Sequence, residues 1–189
     1  MAKFGRMNNE ELKKFREGLA KIKEEQLEDF LKSCVKELAA RLLAKVIQRT
    51  HAGDYSKEIQ VTAKRDSKHH RKGDTYTKRV NPSGKLGGTL RRGWTAKTHE
   101  EAASGSGRGA DAKAYAESLT INHSGNMFVV EIINPVEYAS YVEYGHRTRN
   151  HTGWVPGKFM MTISESELRT IAPKVLQAKL EKFLMGCMQ

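Results

Sequence analysis

Apolar residues fall at Leu12, Phe15, Leu19 and Ile22, then at Leu27, Phe30, Leu31, Cys34, Val35, Leu38, Leu42, Val46 and Ile47, mostly in three- and four-residue steps. That spacing puts them on one face of an α-helix and predicts helix from Asn8 to about Thr50. Asn8 with Glu11 three positions on forms a capping pair, and no proline interrupts the next forty residues. The five-residue step from Ile22 to Leu27, across KEEQLED, shifts the stripe. The helix bends there, or Gly18 splits off a short first helix. Unbroken, about forty residues at 1.5 Å each would make a rod of about 60 Å. Such a rod is longer than a compact domain of this size and points to oligomerisation.

Beyond Thr50 the stripe is lost. Residues 57–88, which include KRDSKHHRKGDTYTKRV, read as a polar, basic loop without a period. Pro82, Gly84, Gly87 and Gly88 then mark turns before Thr89 to Thr98, which reads as a strand, and EEAASGSGRGADAKA reads as a flexible connection. The runs AYAESLTINH and NMFVVEIINP flank Ser124-Gly125 and predict a β-hairpin. Tyr138, Tyr141 and Val142 stand at i, i+3 and i+4 and predict a two-turn helix ended by Gly145. Ser164 with Glu167 opens a last helix over 164–186, in which Pro173 demands a kink or a later start. The segregated order predicts an α+β fold in a single domain of 189 residues: a long N-terminal helix, a small antiparallel sheet of about three strands with a hairpin, a short tyrosine-rich helix and a C-terminal helix.

The charge is uneven. Net charge is +11 overall, yet residues 51–100 carry twelve Lys and Arg against five Asp and Glu, while residues 101–189 are neutral. The excess centres on Lys64, Arg65, Lys68, Arg71, Lys72, Lys78, Arg79, Arg91 and Arg92, with Tyr76 and Trp94 among them. Such a run can neutralise phosphates and stack on bases, or dock on the acidic surface of a neighbouring protein. No helix-turn-helix, zinc-finger or RNA-binding signature organises it, so sequence-specific reading is not expected. Cys34 and Cys187 are isolated, and neither His69-His70 nor the pair His146 and His151 has cysteine or carboxylate neighbours at ligand spacing, so neither a disulfide framework nor a metal site is predicted. GSGRG has no strand before it to make a phosphate loop, and no general base has a positioned partner. The chain reads as a non-enzyme without cofactor, export signal or transmembrane span, made in the cytoplasm.

One stretch combines aromatic and charged residues: NPVEYASYVEYGHRT, Asn134 to Thr148. Its tyrosines suit a core-packing turn, and the set Glu137, Glu143, Tyr144, His146 and Arg147 suits a protein interface. The longer stretch YASYVEYGHRTRNHTGWVPGKFMM, preceded by a hairpin and by GGTLRRGW, resembles the tail-completion or neck (head-tail joining) protein family of tailed phages, most closely its PBSX-type prophage branch. The resemblance rests on Gly88, Leu90, Arg91 and Arg92, and on Tyr138, Tyr141, Val142, Glu143, Tyr144 and Gly145, and covers Thr89 to about Leu168. PGKFMM stands where family members often carry Pro-Phe-Leu, and the basic loop is less characteristic of the family.

The resemblance implies a structural virion protein of the neck or tail, assembled in the bacterial host cytoplasm. Copies would form a ring, hexameric or dodecameric, through Glu137, Tyr138, Tyr141, Val142, Glu143, Tyr144, His146, Arg147 and Trp154. Its partners would be a head-side connector or adaptor and a tail terminator or tube protein, with double-stranded DNA in transient passage and no membrane. The alternative from the charge alone is a free-standing basic nucleic-acid-binding protein.

Overall fold

A computed structural model of the chain describes residues 9–20, 22–83, 87–104, 111–125 and 127–187, leaving aside the side chains of 9–12, 15 and 187. The fold is α+β. The predicted first helix is two: α1 (Asn9–Ala20) and α2 (Glu24–Arg49). They part where the stripe shifts, at Lys23, whose backbone is extended at φ −75° and ψ 148°. Gly18 lies inside α1, and the Asn8–Glu11 capping pair falls outside the described residues.

α2 is the spine. It packs against α5 (Ala112–Ser118) on one side and α7 (Met160–Cys187) on another. Leu43 and Val46 are fully buried at its C-terminal end. They join Leu90, Trp94, Ala96, Ala102, Ala116, Val136 and Met160 in a single small core. Lys45 and Arg49 of α2 both bond Glu167 of α7, and Arg49 also donates to Ser164 Oγ at 3.0 Å. The hydrogen bond from Lys45 leads the causes that hold the Glu167 carboxyl below the usual carboxylate range, with the charges of both cations adding to it.

Several expectations are corrected. The predicted loop 57–88 contains a hairpin, β1 (Lys57–Thr62) with β2 (Thr75–Val80), paired antiparallel with Val61 opposite Tyr76. Its period-two pattern escapes notice because lysines and threonines occupy half of what is only a six-residue strand. Thr89 to Thr98 is no strand: it holds α3 (Thr89–Gly93), followed by α4 (His99–Ser104). The first predicted run of the next hairpin is mostly α5, whose Asp111 N-cap accepts from the Lys113 amide. Alanine and glutamate there favour helix, and that local preference prevails over a weak alternation.

The hairpin itself is present, shorter than expected, as β3 (Asn122–Ser124) with β4 (Met127–Val129) around Gly125 at φ +60°. The short tyrosine helix, α6 (Ala139–Tyr144), ends at Gly145, and β5 (Gly145–Arg147) pairs with β6 (Trp154–Pro156). In place of one three-stranded sheet, the described residues form three separate two-stranded ribbons. α7 starts at Met160, four residues before Ser164, and runs on through Pro173. Ser164 is inside it, with its hydroxyl donating to the Met160 carbonyl at 2.6 Å. No helix of the described residues is long and apolar enough to cross a membrane.

Candidate assembly interface

GGTLRRGW, half of the motif that prompted the family resemblance, turns out to be a set of internal ties. Leu90 and Trp94 are core, and the Trp94 indole donates to Thr50 Oγ1 at 2.8 Å. Arg91 donates to the Thr50 carbonyl at 2.7 Å. Arg92 donates to the carbonyls of Ala102 and Gly87 at 2.8 and 2.9 Å. Gly93 must be glycine, because a Cβ there would run into Asn134 Oδ1, and the Asn134 amide in turn donates to the Leu90 carbonyl at 2.9 Å. Arg91 and Arg92, expected at a neighbour or at DNA, are thus engaged within the chain.

The other half faces both ways. Val142 leans on the core, and Glu143 is buried. Its carboxylate accepts from the amides of Met161 and Thr162 at 3.0 and 2.9 Å and from the Thr162 hydroxyl at 2.8 Å. A negative group there satisfies the orphan N–H groups of the first turn of α7 and complements its dipole. In return, the amides of Lys158 and Phe159 donate to the carbonyls of Val142 and Glu143 at 2.8 and 3.0 Å, completing the end of α6. The approach is close enough that a Cβ at Gly157 would strike the Glu143 carbonyl, and one at Gly145, already at φ +88°, would strike that of Val155.

Glu143→Ala removes all three bonds to the carboxylate at once and is expected to cost about 2 kcal/mol of stability, within the range for caps and charged hydrogen bonds. Glu143→Gln keeps one of the two acceptor oxygens, enough for the Thr162 amide and hydroxyl but not for the Met161 amide, and recovers part of it. Urea unfolding of the two variants decides the matter: an alanine variant within about 0.5 kcal/mol of the parent would show that the cap carries no weight.

On the outer side, Tyr141, Tyr144 and Trp154 are 58, 62 and 61% exposed. Tyr141 meets the ring of His146 edge-on, with centroids 5.9 Å apart, and Arg147 is the cross-strand partner of Trp154. Glu137, His146 and Arg147 are exposed beside them. Tyr138 is 42% exposed; partial burial, then the neighbouring Tyr55 phenol, push its hydroxyl above the usual tyrosine range. Val155, on the His146 side of the ribbon and opposite to Trp154, and Phe159 add exposed apolar surface at 41 and 42% exposure. So many large rings in water around one short helix and ribbon are the mark of an interaction surface.

The remaining cations form a separate group. Lys64, Arg65, Lys68, Arg71 and Lys72 sit exposed at the tip of the β1–β2 arm, and Lys78 and Arg79 lie on β2, where Arg79 pairs with Asp54 at 2.7 Å. β1 and β2 pack essentially on each other. Among the described residues no group of three or more metal-ligating side chains comes together.

A small core, three short ribbons and an exposed aromatic surface make up this α+β protein. The chain belongs to the HK97-gp10-like family, described as the candidate tail component gp10 of bacteriophage HK97, whose model matches residues 13–145. It is therefore a phage tail component. The match begins far ahead of Thr89, takes in the basic arm, and stops at Gly145, short of the span expected from the sequence. No curated protein and no solved structure matches the chain.

Proposed function

We propose that the protein forms a ring in the neck of the phage particle, completing the tail and joining it to the head-side connector, with DNA passing through. The observation that carries this reading is the exposed aromatic face of α6 and the β5–β6 ribbon, which a monomer would leave in water and a ring of copies would bury. The neck position and the count of copies, hexameric or dodecameric, come from the resemblance to neck proteins of the prophage branch. The tail terminator or tube protein would be its neighbour on the other side.

The basic arm favours a second reading, a free-standing nucleic-acid-binding protein. Size-exclusion chromatography with light scattering, run with and without double-stranded DNA, separates the two. The ring reading expects a defined oligomer in the absence of DNA. A monomer that assembles only on DNA, with an affinity falling steeply with salt, would sink it in favour of the second.

A further inference from the structure

The β1–β2 arm has two unlike faces. Its register puts Ile59, Val61, Tyr76 and Val80 on one side, with Lys57 and Lys78 at its other two positions, and Glu58, Gln60, Thr62, Thr75, Thr77 and Arg79 on the other. The apolar side packs on no other element to any extent, and Ile59 is 43% exposed. A two-stranded ribbon alone in water is marginal, so an arm with an apolar face is built to lie on something. Its tip is cationic outward. The two acids there are used internally, Asp66 accepting from the Lys72 amide at 2.8 Å and Asp74 from the Arg71 amide at 2.7 Å.

A matching surface lies elsewhere on the same chain. Three adjoining hollows of 510, 380 and 350 Å³ merge into a trough along α2, sharing Leu31, Val35, Leu38 and Phe128. It is walled by β4 and the segment after it on one side and by Leu168, Leu176 and Leu180 of α7 on the other. From Leu27 to Leu42 it runs for about 24 Å of helix, and the six-residue ladder of the arm is about 20 Å long. At the trough's end α2 opens with Glu24, Glu25, Glu28 and Asp29 and no cation among them; Glu28 pairs with Lys32. Beside the trough, residues 130–133 alternate between half-buried and exposed and make no backbone hydrogen bond with any described residue, which leaves an edge that a strand can join.

Apolar face meets apolar floor, and basic tip meets acidic mouth. We propose that the arm of one copy lies in the α2 trough of the next, so that each subunit gives an arm and receives one. Such a head-to-tail contact is heterologous and closes into a ring when its rotation allows. The inference rests on the ring reading and names which surfaces build the ring.

A charge swap in the full chain tests it. Arg71→Glu with Lys72→Glu, and separately Glu25→Lys with Asp29→Lys, are each expected to weaken self-association at least tenfold by light scattering, with thermal melting unchanged because all four residues are exposed. The two pairs combined restore it. A wild-type chain that stays monomeric overturns the ring reading and this inference together. A wild-type oligomer that neither reversal disturbs overturns the arm-in-trough contact alone. An oligomer lost with the arm reversal but not regained in the combination places the arm on a different surface of the neighbouring copy and overturns the arm-in-trough contact too.

Discussion

Trp94→Ala is expected to destabilise the protein by about 3–5 kcal/mol, the range for emptying a large aromatic site in a packed core. The ring is 5% exposed and belongs to the one core cluster described. Its indole also holds Thr50, whose hydroxyl is itself bonded to the Val46 carbonyl at 2.7 Å, so the substitution loosens the end of α2 as well as leaving a cavity. Domains of this size hold only about 5–15 kcal/mol in all. The variant should therefore be recovered largely insoluble, or with a midpoint of urea unfolding far below the parent's. Trp94→Phe keeps most of the volume and loses the hydrogen bond, for which about 1–2 kcal/mol is expected. An alanine variant losing less than about 1 kcal/mol would mean that the core is not organised around this residue.

The second large effect concerns assembly and not folding. Tyr141→Ala with Tyr144→Ala removes two rings that the isolated chain leaves more than half exposed. The fold should tolerate the change, while buried aromatic anchors at an interface commonly cost about 2 kcal/mol or more each on truncation. The ring should weaken by orders of magnitude, and particles should accumulate with heads and tails unjoined. If the double variant elutes as the parent oligomer and builds joined particles, the aromatic face is not where the subunits meet.

What could be read from the chain alone follows from which forces act locally. The stripe of α2, the shift in it at Ile22–Leu27 and the glycine stop after Tyr144 are all visible, because helix periodicity and the freedom of glycine at positive φ are properties of short windows. The β1–β2 arm was not. Its apolar face has only four residues, and a ribbon with no third layer carries no buried stripe to betray it. α3 to α5 were misread for the opposite reason: short helices in small residues leave no stripe, and their signal is composition and the Asp111 cap. At the site, the tyrosine segment stood out by its chemistry. That Glu143 turns inward to cap α7 could not be seen, since its partners at 161 and 162 lie well beyond any local pattern. The same holds for GGTLRRGW, whose arginines look like surface charge and serve carbonyls brought close only by folding.

The Glu143 cap also makes a mechanical joint. Glu143 sits on the helix that carries the aromatic face, and its carboxylate grips the first turn of a 28-residue helix. With the glycines on both sides of the joint leaving no room for slippage, α6 and the start of α7 move as one piece. The same helix runs for about 42 Å, and near its far end Phe183 stacks on Phe30 of α2 at 4.5 Å. One helix thus has the aromatic face at its start and the wall of the trough toward its end, with Pro173 and the bonds of Glu167 and Lys179 to α2 between them.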